Sequence, residues 1–120
     1  NIEMAIKAMK IVNTKIPDLG LIIVGSGSLA NKLKKLAYNL NIASQVVFVG
    51  WQTDLIPYYK GCDILLVTSW YEGYGMVFKE GQSVGCKIVS TDVGIAREVG
   101  AEIVGWKVEE VAGKLVENLK

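Results

Sequence analysis

The sequence predicts an α/β domain built on a doubly wound parallel sheet, and three observations carry that prediction. Short runs of mostly apolar residues recur along the chain, each is followed by a stretch with helical spacing, and glycine-bearing turns separate the two. Strands that read as continuous apolar runs, rather than alternating ones, are those covered on both faces, as crossover helices cover a parallel sheet. With 120 residues the chain is expected to form one domain, 1–120, with a single core of ordinary size.

The elements follow in order. Ile2, Ala5, Ile6, Met9 and Val12 fall on one face of an opening helix. Because alternating folds more often open on a strand, a strand preceding Asn1 is expected. Leu19 to Val24 reads as a buried strand between Pro17-Asp18 and Gly25-Ser26-Gly27. A helix should follow, capped by Ser28, with Leu29, Leu33, Leu36, Ala37 and Leu40 on its apolar side. Val46 to Val49 is the next strand. A short helix from Asp54 to about Lys60 has Thr53 or Asp54 as cap, and Pro57 is tolerable in its first turn. Ile64 to Thr68 is a strand, Met76 to Val84 a helix and Lys87 to Ser90 a strand. A turn at Asp92 to Gly94, a short helical piece, a strand at Ile103 to Val104 and a closing helix from about Val108 complete the chain.

Composition narrows the function. About half the residues are apolar, a fifth are charged and the formal net charge is +1, which describes a globular protein. It argues against nucleic acid as a partner, since such domains concentrate positive charge. Lys32, Lys34 and Lys35 read as a solvated helix face. Cys62 and Cys86 lack a C-x-x-C spacing and read as small buried residues in a reducing compartment. No apolar run approaches the roughly 20 residues that span a bilayer and no signal peptide is visible, so membrane contact is not indicated and a cytoplasmic location is expected. No metal-ligand cluster is apparent.

In doubly wound sheets ligands collect at the carboxyl ends of the strands. Two turns there are informative. Gly25-x-Gly27-x-x-Ala30 matches a dinucleotide fingerprint, whose glycines let backbone approach a pyrophosphate. A nicotinamide site also wants an acid at the end of the next strand, and none occurs before Asp54. A nicotinamide-dependent enzyme, a nucleotide-pocket lining and a purely structural turn all stay open for this segment.

The second turn is S-W-Y-E-G-Y-G-M-V-F-K-E, Ser69 to Glu80. Gly73 and Gly75 permit backbone angles closed to other residues and leave the amides of Tyr74, Gly75 and Met76 free to meet an anion at a helix start. Glu72 precedes these amides and Glu80 lies about a turn inside the helix. Ionised carboxylates only accept hydrogen bonds, so beside a donor-rich phosphate site their natural partners are hydroxyls. A ligand with central phosphates flanked by hydroxylated rings, a sugar nucleotide, fits. An exposed turn glutamate followed by a favourable charge near a helix start is the alternative.

That stretch resembles the E-x-x-x-x-x-x-x-E signature, with its E-G-[FYW]-G core, of the family-four retaining glycosyltransferases of the GT-B fold. V-G-S-G at Val24 to Gly27, V-V-F-V-G at Val46 to Gly50, D-I-L-L-V-T-S at Asp63 to Ser69 and S-T-D-V-G at Ser90 to Gly94 occur in the family's order across essentially the whole chain. The resemblance implies one Rossmann-like half of a two-domain enzyme, the half that binds a nucleoside-diphosphate sugar as substrate, with no further cofactor and no metal. Its partner would be an N-terminal acceptor domain of the same parent chain. By position, Glu80 would accept the ribose hydroxyls, and Glu72 would contact the donor sugar as the catalytic-site carboxylate. The amides of Tyr74, Gly75 and Met76 would hold the distal phosphate and sugar. The backbone of Gly50, Trp51 and Gln52 would meet the base, and Gly25 and Gly27 would line the cleft. The family's donor-binding Arg and Lys fall before or at Asn1. Gly81 replaces a common Ala, and Lys79 a usually apolar residue. As an isolated unit the domain is expected not to turn over. A non-catalytic nucleotide-binding or interaction module is the rival from another class.

Overall fold

The computed structural model describes residues 1–25, 27–72 and 75–119. Among these residues five α-helices and five strands run in the order α1 (Ile2–Asn13), β1 (Leu21–Val24), α2 (Ala30–Asn39), β2 (Val46–Gly50), α3 (Ile56–Gly61), β3 (Ile64–Val67), α4 (Met76–Ser83), β4 (Lys87–Thr91), β5 (Glu102–Val104) and α5 (Val108–Leu119), with helix and strand alternating up to β4. All strand pairs are parallel, β1 with β2, β3 with β4 and β4 with β5. The predicted α/β class with parallel strands is what forms. The strands fall into two sheets, β1–β2 and β3–β4–β5, rather than one.

Between the sheets lies a cavity of about 550 Å³, lined along one side by Leu21 to Val24 and along the other by Ile64 to Val67. Ala5 and Met9 of α1 and Leu115 of α5 also line it. Asn1 lies at its rim, and the Thr68 hydroxyl donates to the Asn1 carbonyl at 2.7 Å, fastening the start of α1 beside the carboxyl end of β3.

Apolar periodicity places three clusters around these sheets. Met4, Ala8 and Val12 of α1 pack on Val111, Ala112, Leu115 and Val116 of α5 over Val89 and Val104. Ile6 and Met9, on the adjoining stripe of α1, meet Ile23, Val46, Ala37 and Ile42. Phe78 of α4 is wholly buried with Val67, Ile88, Val93, Ile95, Ala96 and Val99. One helix, α1, thus serves both sheets. Its two apolar stripes are legible in the opening dozen residues.

Five local expectations change. The first strand begins at Leu21, because the Leu19 amide bonds the Ile16 carbonyl at 3.2 Å in a turn. Ser28 does not cap α2; Leu29 holds the cap position without a side-chain bond. Asp54 does the capping at α3 from just outside it, its Oδ1 accepting from the Ile56 amide at 3.1 Å. The helical piece after β4 is a run of turns, closed by Ala96 N–H to Val93 at 3.1 Å and Val99 N–H to Ile95 at 3.1 Å. Cys62 and Cys86 are half-buried rather than buried. No helix among the described residues is long and apolar enough to cross a membrane.

Candidate functional site at the carboxyl edge

The loops after β1, β2, β3 and β4 share the carboxyl edge of the parallel strands, where aligned strand ends and helix starts leave amides open to a ligand. Val24 pairs with Gly50, and the Gly25 amide donates to the Gly50 carbonyl at 2.7 Å. The two predicted lining segments, Gly25 with Gly27 and Gly50 to Gln52, are therefore adjacent. Gly25 has φ +127°, a conformation that side chains rarely adopt. The Gln52 amide folds back to donate to Val49 O at 2.9 Å, and Trp51 projects with 69% of its surface exposed. Ser26 lies outside the described residues.

After β3 the chain is held at Ser69. Its carbonyl accepts from the Thr91 hydroxyl at 2.7 Å and from the Trp106 indole at 3.3 Å. Its hydroxyl donates to Glu72 Oε1 at 2.9 Å. Trp70 stacks on Trp106, ring centroids 5.9 Å apart and planes within 7°. Ser69 and Trp106 escaped sequence reading. The serine three positions before Glu72 was a legible local signal, whereas Trp106 reaches the loop only through the fold.

Gly75 caps α4 with φ +78° and ψ +68°, and the helix starts at Met76 as expected. A Cβ at Gly75 would sit 2.6 Å from Phe78 Cδ2, so the position requires glycine for both conformation and space. The first amides of a helix have no carbonyl one turn back to bond, so the start of α4 at Met76 presents donors to an incoming group, while the Phe78 amide already bonds the Gly75 carbonyl at 3.0 Å. Met76 is itself largely exposed, and Lys79 is exposed too. Gly73 and Tyr74 lie outside the described residues, so the proposed Tyr74 amide contact has no geometry here. Gly81 is explained by packing: a Cβ there would lie 2.8 Å from Leu65 Cδ2.

Glu80 is half-buried on α4, near enough to α3 to act on Tyr59. Tyr59 is buried and its hydroxyl has no hydrogen-bond partner among the described residues. Burial first, then the charges of Glu80, Cys86 and Cys62, push its phenol up to about 12. Burial and the contact with Cys86 push the Cys62 thiol up to about 11. Both groups are easier to deprotonate in the unfolded chain. The stability they contribute is complete below their ordinary values near 9 and 10 and drains as pH rises through 11 to 12. Denaturant midpoints measured from pH 8 to 12 should therefore fall on the alkaline side. Tyr59→Phe should flatten that fall and, by removing an unpaired buried hydroxyl, add about 1 kcal/mol at neutral pH. An unchanged alkaline limb in the variant would contradict this account.

No group of three or more His, Cys, Asp or Glu that could hold a metal occurs among the described residues. This edge carries the start of α4, the carboxylates of Glu72 and Glu80 and, after β1 and β2, glycine-bearing turns.

The sequence profile of the family described as Glycosyl transferases group 1 matches residues 1–119. An uncharacterized glycosyltransferase of Methanocaldococcus jannaschii is 35% identical over 101 residues, covering 82% of this chain and 25% of that protein. WaaG, a glycosyltransferase involved in lipopolysaccharide biosynthesis, superposes with a TM-score of 0.91 at 21% identity, over 99% of this chain and 34% of that one. Staphylococcus aureus TarM, solved with UDP among its ligands, gives 0.90 at 22% identity, over 98% of this chain and 25% of that one. The chain thus spans about a quarter of the length of the curated relatives it matches.

Proposed function

Because this chain belongs to the glycosyl transferases group 1 family, a GT-B, family-four-like domain, we propose that it is the donor-binding half of a retaining glycosyltransferase, taking a nucleoside-diphosphate sugar. The observation that carries this reading is the start of α4. A left-handed Gly75 opens α4 at Met76, with Glu72 three positions before that glycine in the chain and Glu80 in the helix that follows. A helix N-terminus holds about half a positive charge, suited to a diphosphate.

The residues then divide the ligand. Glu80 accepts the ribose hydroxyls. Glu72, held by Ser69, accepts from the donor sugar, and the amides of Gly75 and Met76 meet the distal phosphate. Gly25, Gly27 and the Gly50 to Gln52 backbone line the base side. In the transfer step this half stabilises charge growing on the departing diphosphate, which fixed amides do without reorganising. Carboxylates cannot neutralise two phosphates. The main cations come from elsewhere in the parent chain, which also supplies the acceptor domain, so the 120-residue unit binds donor without turnover. The cavity between β1 and β3 supports the same organisation: a further parallel strand, from residues upstream of Asn1, would pair with both edges.

Titration with UDP-glucose, GDP-mannose and NAD, followed by amide chemical shifts, tests the reading. Sugar nucleotides should move Gly75, Met76 and Glu80, and NAD should not. Glu80→Ala should weaken nucleoside-diphosphate binding roughly 10-fold, the loss of about one charged hydrogen bond. Shifts that bypass the Glu72 to Glu80 segment with every sugar nucleotide would remove the donor-site assignment.

A further inference from the structure

Cys62 and Cys86 take no part in the donor site, yet the fold brings them together. Cys62 follows α3 and Cys86 follows the turn between α4 and β4. Their sulfurs are 3.4 Å apart, both thiols are free and both are half-buried. The Cys62 sulfur also contacts the Tyr59 carbonyl at 3.5 Å, and the Cys86 sulfur the Lys87 carbonyl at 3.6 Å. The pair therefore joins the end of α3 to the turn between α4 and β4, and α3 and α4 pack against each other.

A soft metal ion is the first occupant to weigh. Structural zinc takes four ligands, and no third His, Cys, Asp or Glu joins the pair among the described residues. A disulfide needs only the two sulfurs, brought to about 2.05 Å by side-chain rotation and a small backbone adjustment.

We propose that Cys62 and Cys86 form a dithiol modification site that hydrogen peroxide closes into an intramolecular disulfide, fastening α3 to α4. The chemistry balances with peroxide as the only co-reactant. The Cys86 sulfur attacks one peroxide oxygen and gives up its proton; an S–O bond forms, the O–O bond breaks, and the released hydroxide takes up that proton as water. The Cys62 sulfur then attacks the Cys86 sulfur. An S–S bond forms, the S–O bond breaks, and the leaving hydroxide takes the Cys62 proton as a second water. The two sulfurs together lose two electrons and peroxide gains them. Burial and the Cys86 contact hold the Cys62 thiol up at about 11, so closure by Cys62 should quicken as the pH is raised towards that value. In a reducing compartment such a bond is transient and redox-sensing rather than permanent.

This site stands independently of the donor reading, and its test uses no nucleotide. One equivalent of hydrogen peroxide should lower the mass of the monomer by about 2 Da and abolish both thiols towards a thiol reagent, with dithiothreitol restoring them. Closing a loop of this length should raise Tm by roughly 10 °C. Amide exchange should slow at Tyr58 and Tyr59 on α3 and at Glu80 on α4. Cys62→Ser and Cys86→Ser should each show no peroxide-dependent Tm rise. Gain of oxygen at a single sulfur without loss of the second thiol would overturn the proposal, as would disulfides that form only between molecules. A disulfide that leaves α3 and α4 exchanging at their reduced rates would overturn the fastening.

Discussion

Gly75→Ala should destabilise the chain by about 3 kcal/mol and abolish sugar-nucleotide binding. Two costs add. At φ +78° an L-residue is in the left-handed region, which disfavours alanine by about 1 kcal/mol or more. The new methyl would also lie 2.6 Å from Phe78 Cδ2 and 2.9 Å from Cε2. That ring is fully buried among Val67, Ile88, Val93 and their neighbours, so it has no room to retreat, and overpacking typically costs about 1–3 kcal/mol. Native domains hold only about 5–15 kcal/mol, so the loss should show as a fall in Tm of roughly 10 °C or more. Met76→Ala is the control, because Met76 is 61% exposed and should leave Tm within a few degrees. Equal Tm values for the Gly75 variant and the parent would mean that the α4 start has been misread. A large Tm loss with intact donor affinity would separate folding from binding at this turn.

The second large effect concerns the cavity between the sheets. Five apolar residues, such as Val and Ile, added ahead of Asn1 through a short loop should pair with β1 and β3 at once. A strand there would run parallel to both and emerge beside Asn1, which Thr68 holds at the carboxyl end of β3. The connection through α1 into β1 is then an ordinary strand–helix–strand crossover. Each buried Val or Ile contributes about 1.5–3 kcal/mol, against about 1–2 kcal/mol for ordering each residue's backbone. The surplus of a few kcal/mol should raise Tm by roughly 10 °C. Amide exchange at Leu21 to Val24 and Ile64 to Val67 should slow strongly. The same extension with alternate residues replaced by proline, which cannot donate to the ladder, should do neither. Unchanged exchange at both strand edges with the apolar extension would exclude a strand from the cavity.

How much of this was legible in the sequence varies with the range of the interaction. The strands and helices were readable because each carries its own apolar period and glycine punctuation, and Met76 as the start of α4 followed from the glycines before it. Ser28 looked like a cap because serine often is one, but the Ala30 amide bonds the Gly27 carbonyl at 3.2 Å and Leu29 takes the cap position. The division into two sheets was invisible, since sequence order does not say which edges meet. The stretch around Glu72 and Glu80 was recognisable from residue type and spacing. The anchors behind it were not: Thr91 lies 22 positions from Ser69 and Trp106 lies 37, distances over which no periodicity speaks. The closeness of Cys62 to Cys86 was hidden for the same reason, and so was Tyr59 beneath Glu80.

The Ser69 carbonyl, with its two donors, separates two properties of the loop that carries Glu72. The groups that hold Ser69 come from β4 and from the segment after β5, whereas Tyr71, beside Glu72 in the chain, is 82% exposed. The carboxylate's position is therefore inherited from the scaffold and not from its immediate sequence neighbours. Selection or engineering can vary Tyr71, and with it the surface beside this loop, while leaving the address of Glu72 unchanged.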